Sequence, residues 1–210
     1  FHNGTDVTPT LPTPQIFMLG VVENLSRVPG IAFRRVGDRV FLLGETRDEV
    51  GCSEYASYYH DRLGGSVPDI DFDRERRGTE LIRELVASGL LCSAHTLSLG
   101  GLAIALTEAC LMREKAIGAT LLMHDTEQKM RADTLLFSET SGRYLISFRE
   151  SDEAFIRSKC AEANLPITGE GLVGGKAMKL EGALTCEVPI ATARRIWSAG
   201  FDHLLGGDIE

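Results

Sequence analysis

Residues 90–111, LLCSAHTLSLGGLAIALTEACL, limit the folds open to this chain more than any other segment. They begin with a short apolar run bounded by a loop, the pattern of a buried strand. A polar turn with Gly100 and Gly101 follows. Residues 101–116 then read as a helix that is apolar almost all round. Such a helix cannot lie on a solvated surface and has to be covered. A buried strand leading directly into a buried helix therefore points to a sheet layered with helices.

The remaining pattern fits that frame. Residues 15–23 read as a strand, and residues 31–44 as two apolar runs turning at Gly37-Asp38 in a hairpin. Residues 53–63 can be helical up to Gly64-Gly65. Residues 73–88 place Leu81, Ile82, Leu85 and Val86 on one face, with Gly89 as the stop of an amphipathic helix. Residues 118–124 read as a strand, residues 126–137 as a helix running into a strand start, and residues 142–148 as a strand. Ser151 is placed to cap a helix over 152–163. Residues 166–180 read as a hairpin around Gly174-Gly175. Residues 183–189 read as a last strand, with Pro189 opening a helix through Ser198. Hairpins need antiparallel pairs and strand–helix–strand units allow parallel ones, so a mixed sheet covered by helices is expected.

Composition excludes several functions. With a formal net charge of -8, the chain lacks the broad basic face that nucleic-acid binding needs. No run reaches about 18 consecutive apolar residues, so no membrane span is expected. The five cysteines show no CxxC spacing and read as reduced thiols of a cytoplasmic protein, not as a zinc site. The polar, proline-punctuated start FHNGTDVTPTLPTPQ has no initiator Met and reads as a chain cut from something longer.

Three clusters can carry chemistry. The turn after the strand ending at His95 holds Thr96, Ser98, Gly100 and Gly101 before the apolar helix. Layered α/β proteins bind ligands at such a place, where unpaired N–H groups and the helix dipole favour an anion. The same turn can equally be a tight connection with a serine cap. The loop LLGETRDEVGCSEY, residues 42–55, carries acids at 45, 48, 49 and 54. It can hold Mg²⁺ or be a solvated turn before a helix. SETSGR, residues 138–143, is a polar turn in which Glu139 and Arg143 can pair. No serine, cysteine or histidine constellation forms a nucleophile elbow or triad, so no catalytic residue and no metal ligand is assigned.

Taken in order, PTPQIFMLGVVENL, FLLGETRDEVGCSEY, GLLCSAHTLSLGGLAIALTEA and LLFSETSGRYLIS resemble the second half of phosphoribosylformylglycinamidine synthase, in its shorter bacterial form. FHNGT is similar to that family's FYNET. The resemblance implies an α+β fold, a three-layer α/β/α domain with a mixed sheet, like the C-terminal domain of aminoimidazole ribonucleotide synthetase-related proteins. It implies residues 1–25 as the tail of a preceding N-type domain and residues 26–210 as the C-terminal domain. It also implies an ATP- and Mg²⁺-dependent amidotransferase of purine biosynthesis, working with a glutaminase subunit and a small accessory subunit. The family's catalytic histidines and principal metal ligands fall in its first half, so this part alone is expected to be inactive.

The family's loop reads Ala-His-Asp-x-Ser-Asp-Gly-Gly, and here Thr96 and Leu99 stand at its two acids. A neutral hydroxyl cannot offset a divalent cation. The resemblance thus implies nucleotide contact through His95, Thr96, Ser98, Gly100 and Gly101, without strong Mg²⁺ binding. The alternative is a non-catalytic nucleotide-binding or scaffold domain with a degenerate loop; a kinase-like sister enzyme is a third reading. Cys52 stands where the family often has Gly.

Overall fold

In the computed structural model residues 14–22, 24–124 and 130–204 are described. Seven strands form one mixed sheet: β1 (Arg39–Leu43), β2 (Leu91–Thr96), β3 (Ala119–Met123), β4 (Tyr144–Phe148), β5 (Ile167–Val173), β6 (Ala177–Gly182) and β7 (Cys186–Pro189). Their spatial order is β2-β4-β1-β5-β3-β6-β7. Neighbours are antiparallel except β3 and β6, which are parallel. The helices are α1 (Glu54–His60), α2 (Phe72–Ala87), α3 (Gly101–Leu111), α4 (Ala132–Phe137), α5 (Glu153–Glu162) and α6 (Ile190–Leu204).

The sheet is the middle of three layers. On one face Leu102, Ala105, Leu106 and Ala109 of α3, with Ala193 of α6, pack on Val40, Leu42, Leu121, Leu145 and Leu180. On the other, Leu81 and Leu85 of α2 and Ile156 and Cys160 of α5 pack on Phe41, Leu43, Ile146 and Phe148. Alternation along β1 therefore feeds both cores, as expected of a strand covered twice. Each fully buried Leu or Phe contributes roughly 1.5–3 kcal/mol. Helix α3 explains its own composition: Leu102, Ala105, Leu106, Ala109, Cys110 and Leu111 are all buried. The α2 reading also holds, with Asp71 accepting from Arg74 N at 3.0 Å as N-cap and Gly89 following at φ +69°.

Several local readings fail where strand pairing is decided at long range. Gly37 does not turn a hairpin: β1 pairs with β4 and β5, and Gly37 N donates to Val173 O at 2.8 Å. β5 and β6 are not a hairpin either, because β3 lies between them. That insertion rests on Gly118, whose N–H donates to Gly175 O and whose carbonyl accepts from Gly174 N. A Cβ at Gly118 would overlap the Ala177 carbonyl oxygen. Residues 135–137 belong to helix α4, not to a strand. Ser151 does not cap α5; its Oγ donates to Asp152 Oδ1 at 3.2 Å. Pro189 closes β7 instead of opening α6. Helix α3 stops at Leu111, five residues short of expectation, where Met112 N still donates to Glu108 O and Arg113 N turns to Leu111 O.

No strand forms over residues 14–22, and Ile16 and Phe17 there are 84% and 88% exposed. Of the polar arm expected over residues 1–15, residues 1–13 lie outside the described residues. Among the described residues no helix is long and apolar enough to cross a membrane. The five cysteines are free thiols.

Candidate functional site

The three clusters separated in sequence meet at one end of the sheet. β1 runs out into the acidic loop, β2 into the turn at 97–100, and the turn at 138–143 leads into β4. Glu139 N donates to Glu49 O at 3.2 Å, and Arg47 N to Thr140 Oγ1 at 3.1 Å. Leu97 N donates to Arg143 O at 2.9 Å. Three separate clusters in the sequence are thus one unit in the fold.

Within that unit His95 is held by both ring nitrogens. Nδ1 faces Thr96 O at 2.8 Å and Nε2 faces Glu108 Oε2 at 2.7 Å, across the first turns of α3. Thr96 and Ser98 are exposed at the surface of the turn. Ser98 supplies its backbone carbonyl to Gly101 N at 3.0 Å. Gly100 and Gly101 both take left-handed φ, +74° and +61°. A Cβ at Gly101 would meet Ser138 O at 2.5 Å, so this glycine is needed for the close approach of α3 to the end of α4.

The residue that sequence inspection left out of the site is Glu139. Its Oε1 accepts from Gly100 N at 2.8 Å and from Glu54 N at 3.0 Å. One carboxylate thus sits at the N-termini of α3 and α1 together, where unpaired N–H groups and the dipole favour an anion. The expected pairing of Glu139 with Arg143 is absent. Arg143 instead points into the core and is fully buried. Its Nε donates to Thr140 O at 3.0 Å, Nη1 to Thr46 Oγ1 at 3.0 Å and Nη2 to Ser138 O. Burial pushes its guanidinium down to about 10, which still leaves it charged at neutral pH. It ties the acidic loop to the 138–143 turn through neutral acceptors. The signal for Glu139 was the polar turn itself; its partners lie 39 and 85 residues away in sequence.

Beside this carboxylate lies an aromatic cleft of about 560 Å³, lined by Glu54, Tyr55, Tyr58, Tyr59, Gly100, Ile104 and Phe137. Tyr55 stacks on Phe137 at 4.7 Å between ring centroids, and its hydroxyl donates to Asp133 Oδ2 at 3.3 Å. Tyr58 and Tyr59 are exposed. The acids of the 42–55 loop do not converge: Glu49 accepts from Asp69 N at 2.9 Å and Asp48 from Thr134 Oγ1 at 3.0 Å. Among the described residues no three His, Cys, Asp or Glu side chains are grouped as metal ligands. With Thr96 and Leu99 neutral and Glu139 engaged by N–H donors, the donor set does not fit Mg²⁺.

A three-layer mixed sheet with a glycine turn at the carboxyl end of its edge strand defines the class. The chain belongs to the family described as "AIR synthase related protein, C-terminal domain", which it matches over residues 35–180. Its sequence relatives include the phosphoribosylformylglycinamidine synthase subunit PurL of Anaeromyxobacter dehalogenans, 37% identical over 212 residues, 99% of this chain and 28% of that protein. The Methanocaldococcus jannaschii subunit of the same name is 37% identical over 82% of this chain and 23% of its own length. Thermotoga maritima PurL complexed with FGAR superimposes with a TM-score of 0.66 at 19% identity, covering 81% of this chain and 30% of that one. The resemblance read from the four motifs is thus found again in sequence and in fold. The chain spans about a quarter of the length of the relatives it matches.

Proposed function

We propose that the chain is the C-terminal part of a phosphoribosylformylglycinamidine synthase of the shorter bacterial type, inactive alone. In this reading it contributes the last C-type domain to an ATP-dependent carbon–nitrogen ligase with glutamine as nitrogen source. The carrying observation is the match to PurL over 99% of this chain at 37% identity. Residues 1–25 then complete a preceding N-type domain. Ile16 and Phe17, exposed in this chain, suit a strand whose partners lie in other domains. A cytoplasmic location and glutaminase and small accessory partners come with the reading. The test is the full-length protein with its partner subunits: glutamine- and ATP-dependent conversion of formylglycinamide ribonucleotide is expected, and a complete assembly without it sinks the proposal.

Within that frame His95, Thr96, Ser98, Gly100 and Gly101 form the nucleotide-contacting turn. Support comes from its place at a strand's carboxyl end and from the aromatic cleft beside Gly100. Such contact runs without a metal held by the turn, since Thr96 and Leu99 are neutral.

A second reading is favoured by Glu139. Its carboxylate already engages Gly100 N, so a phosphate there meets an internal competitor, and the domain then serves as a scaffold. Nucleotide titration of the full-length protein, with and without Mg²⁺, separates the two. Affinity lowered by Ser98→Ala supports the first reading; affinity indifferent to Ser98 and Glu139 supports the second.

A further inference from the structure

At the opposite end of the sheet an acidic chain gathers arginines. A cleft of about 650 Å³ is lined by Arg27, Arg34, Arg35, Arg113 and Arg149, with Asp152 as its one acidic side chain. It lies where β2 begins and β4 ends, on the far side of α3 from the glycine turn. The eleven residues of α3 separate the two places by about 16 Å.

Three of these guanidiniums are held but not neutralised. Arg27 Nη1 donates to Ala87 O at 3.1 Å, Arg34 Nη2 to Val28 O at 3.4 Å, and Arg113 Nη1 to Arg34 O at 3.0 Å. Each contact uses one of five donors and fixes the fork against a neutral carbonyl. Among the described residues only Arg35 of the five meets a carboxylate, Asp38, at 3.5 Å; its Nη2 also reaches Cys92 Sγ at 3.0 Å. The side chain of Arg149 has no hydrogen-bond or ion-pair partner among the described residues; its carbonyl accepts from Asp152 N at 2.9 Å. Like charges are crowded here without the compensation that Arg157 receives from Glu153 and Glu170. Such a largely uncompensated cluster favours a bound anion, because the anion removes the mutual repulsion and takes up the free N–H donors.

We propose that this cleft binds a small phosphorylated ligand carrying at least two anionic groups. Size and charge select that class. The volume is that of a small-molecule site, and an extended polyanion would be repelled by a surface whose net charge is -8. Guanidinium forks match phosphate oxygens in pairs. Free nucleotides, sugar phosphates and pyrophosphate share this chemistry.

The test is calorimetric titration of the intact protein with tripolyphosphate and, separately, with inorganic phosphate. Saturable tripolyphosphate binding is expected, tighter than for phosphate and weakened by added salt. Arg149→Ala, at an exposed and unpartnered position, should weaken it about tenfold, and Arg34→Ala similarly. Arg83→Ala, an exposed arginine outside the cleft, should leave it unchanged. Circular dichroism of each variant checks the fold. Absent saturable binding, equal affinity in the Arg149 and Arg83 variants, or capture of an acidic peptide but not tripolyphosphate each overturns the proposal.

Discussion

The backbone N–H of Gly100 lies 2.8 Å from Oε1 of Glu139, and that carboxylate oxygen also accepts from Glu54 N at 3.0 Å. Two helices that start 47 residues apart in the chain therefore share one anionic cap from a third segment. The carboxylate fills the place where the N–H groups and dipole at the start of α3 favour an anion.

Removing that cap should cost stability. Glu139→Ala is expected to destabilise the protein by about 1–2 kcal/mol, the ordinary worth of a helix cap with its charge. Glu139→Gln should lose less, since an amide oxygen still accepts one N–H. Urea denaturation measures both. In Glu139→Ala, inorganic phosphate at 10 mM or so should recover part of the lost stability by mass action; no recovery would mean the turn does not take anions.

Arg143 should be among the costliest polar positions to change. Arg143→Met removes the donor to Thr46 Oγ1, Thr140 O and Ser138 O and strands these buried acceptors. A loss of about 3 kcal/mol is expected. Arg143→Lys should restore little of it, because an ammonium cannot reproduce the planar fork. Thermal unfolding of both variants is the check.

Cys52 sits at φ +54°, a conformation natural to glycine. Its thiol makes only a long contact to Gly65 O, at 3.5 Å. Cys52→Gly should be neutral or stabilising by up to about 1 kcal/mol, while Cys52→Val should be destabilising by more than that. The midpoint of chemical denaturation decides between these outcomes and a cysteine-specific role.

Burial pushes the Cys110 thiol up to about 12 and the Cys160 thiol to about 11. The unfolded chain releases these protons near pH 9, so the folded state binds more protons between pH 9 and 12. Stability from these thiols is complete below pH 9 and is lost as pH rises through 11 to 12. Cys110→Ala should flatten that alkaline decline, measured by denaturation at pH 8 and pH 10. In a thiol-reagent assay at pH 8, Cys52 should react fast, and Cys110 and Cys160 only on unfolding.

Legibility followed the range of the interactions involved. Helix α2 showed in the spacing of Leu81 and Leu85, and α3 in its unbroken apolar run, because both signals repeat within a few residues. The family resemblance carries further and implies the three layers. The hairpins at Gly37 and Gly174-Gly175 failed because turn residues report a turn, not the partner beyond it. Gly174-Gly175 does turn the chain, but into β6 on the far side of β3. Of the site, the turn residues 95–101 were visible as a motif. Glu139 and the aromatic wall were not, since nothing local ties Glu139 to Gly100 or Tyr55 to Phe137.

By itself the sequence determined the layered fold class, the strand–turn–helix unit around Gly100 and Gly101, and the absence of carboxylates at Thr96 and Leu99. These depend on residue type and on periods of two to four residues. Tertiary structure alone decided the strand order, the place of β3, the burial of Arg143, the carboxylate at two helix ends and the arginine cleft. Each of these brings together groups tens of residues apart, and which groups meet is settled by how the sheet and its two helical layers pack.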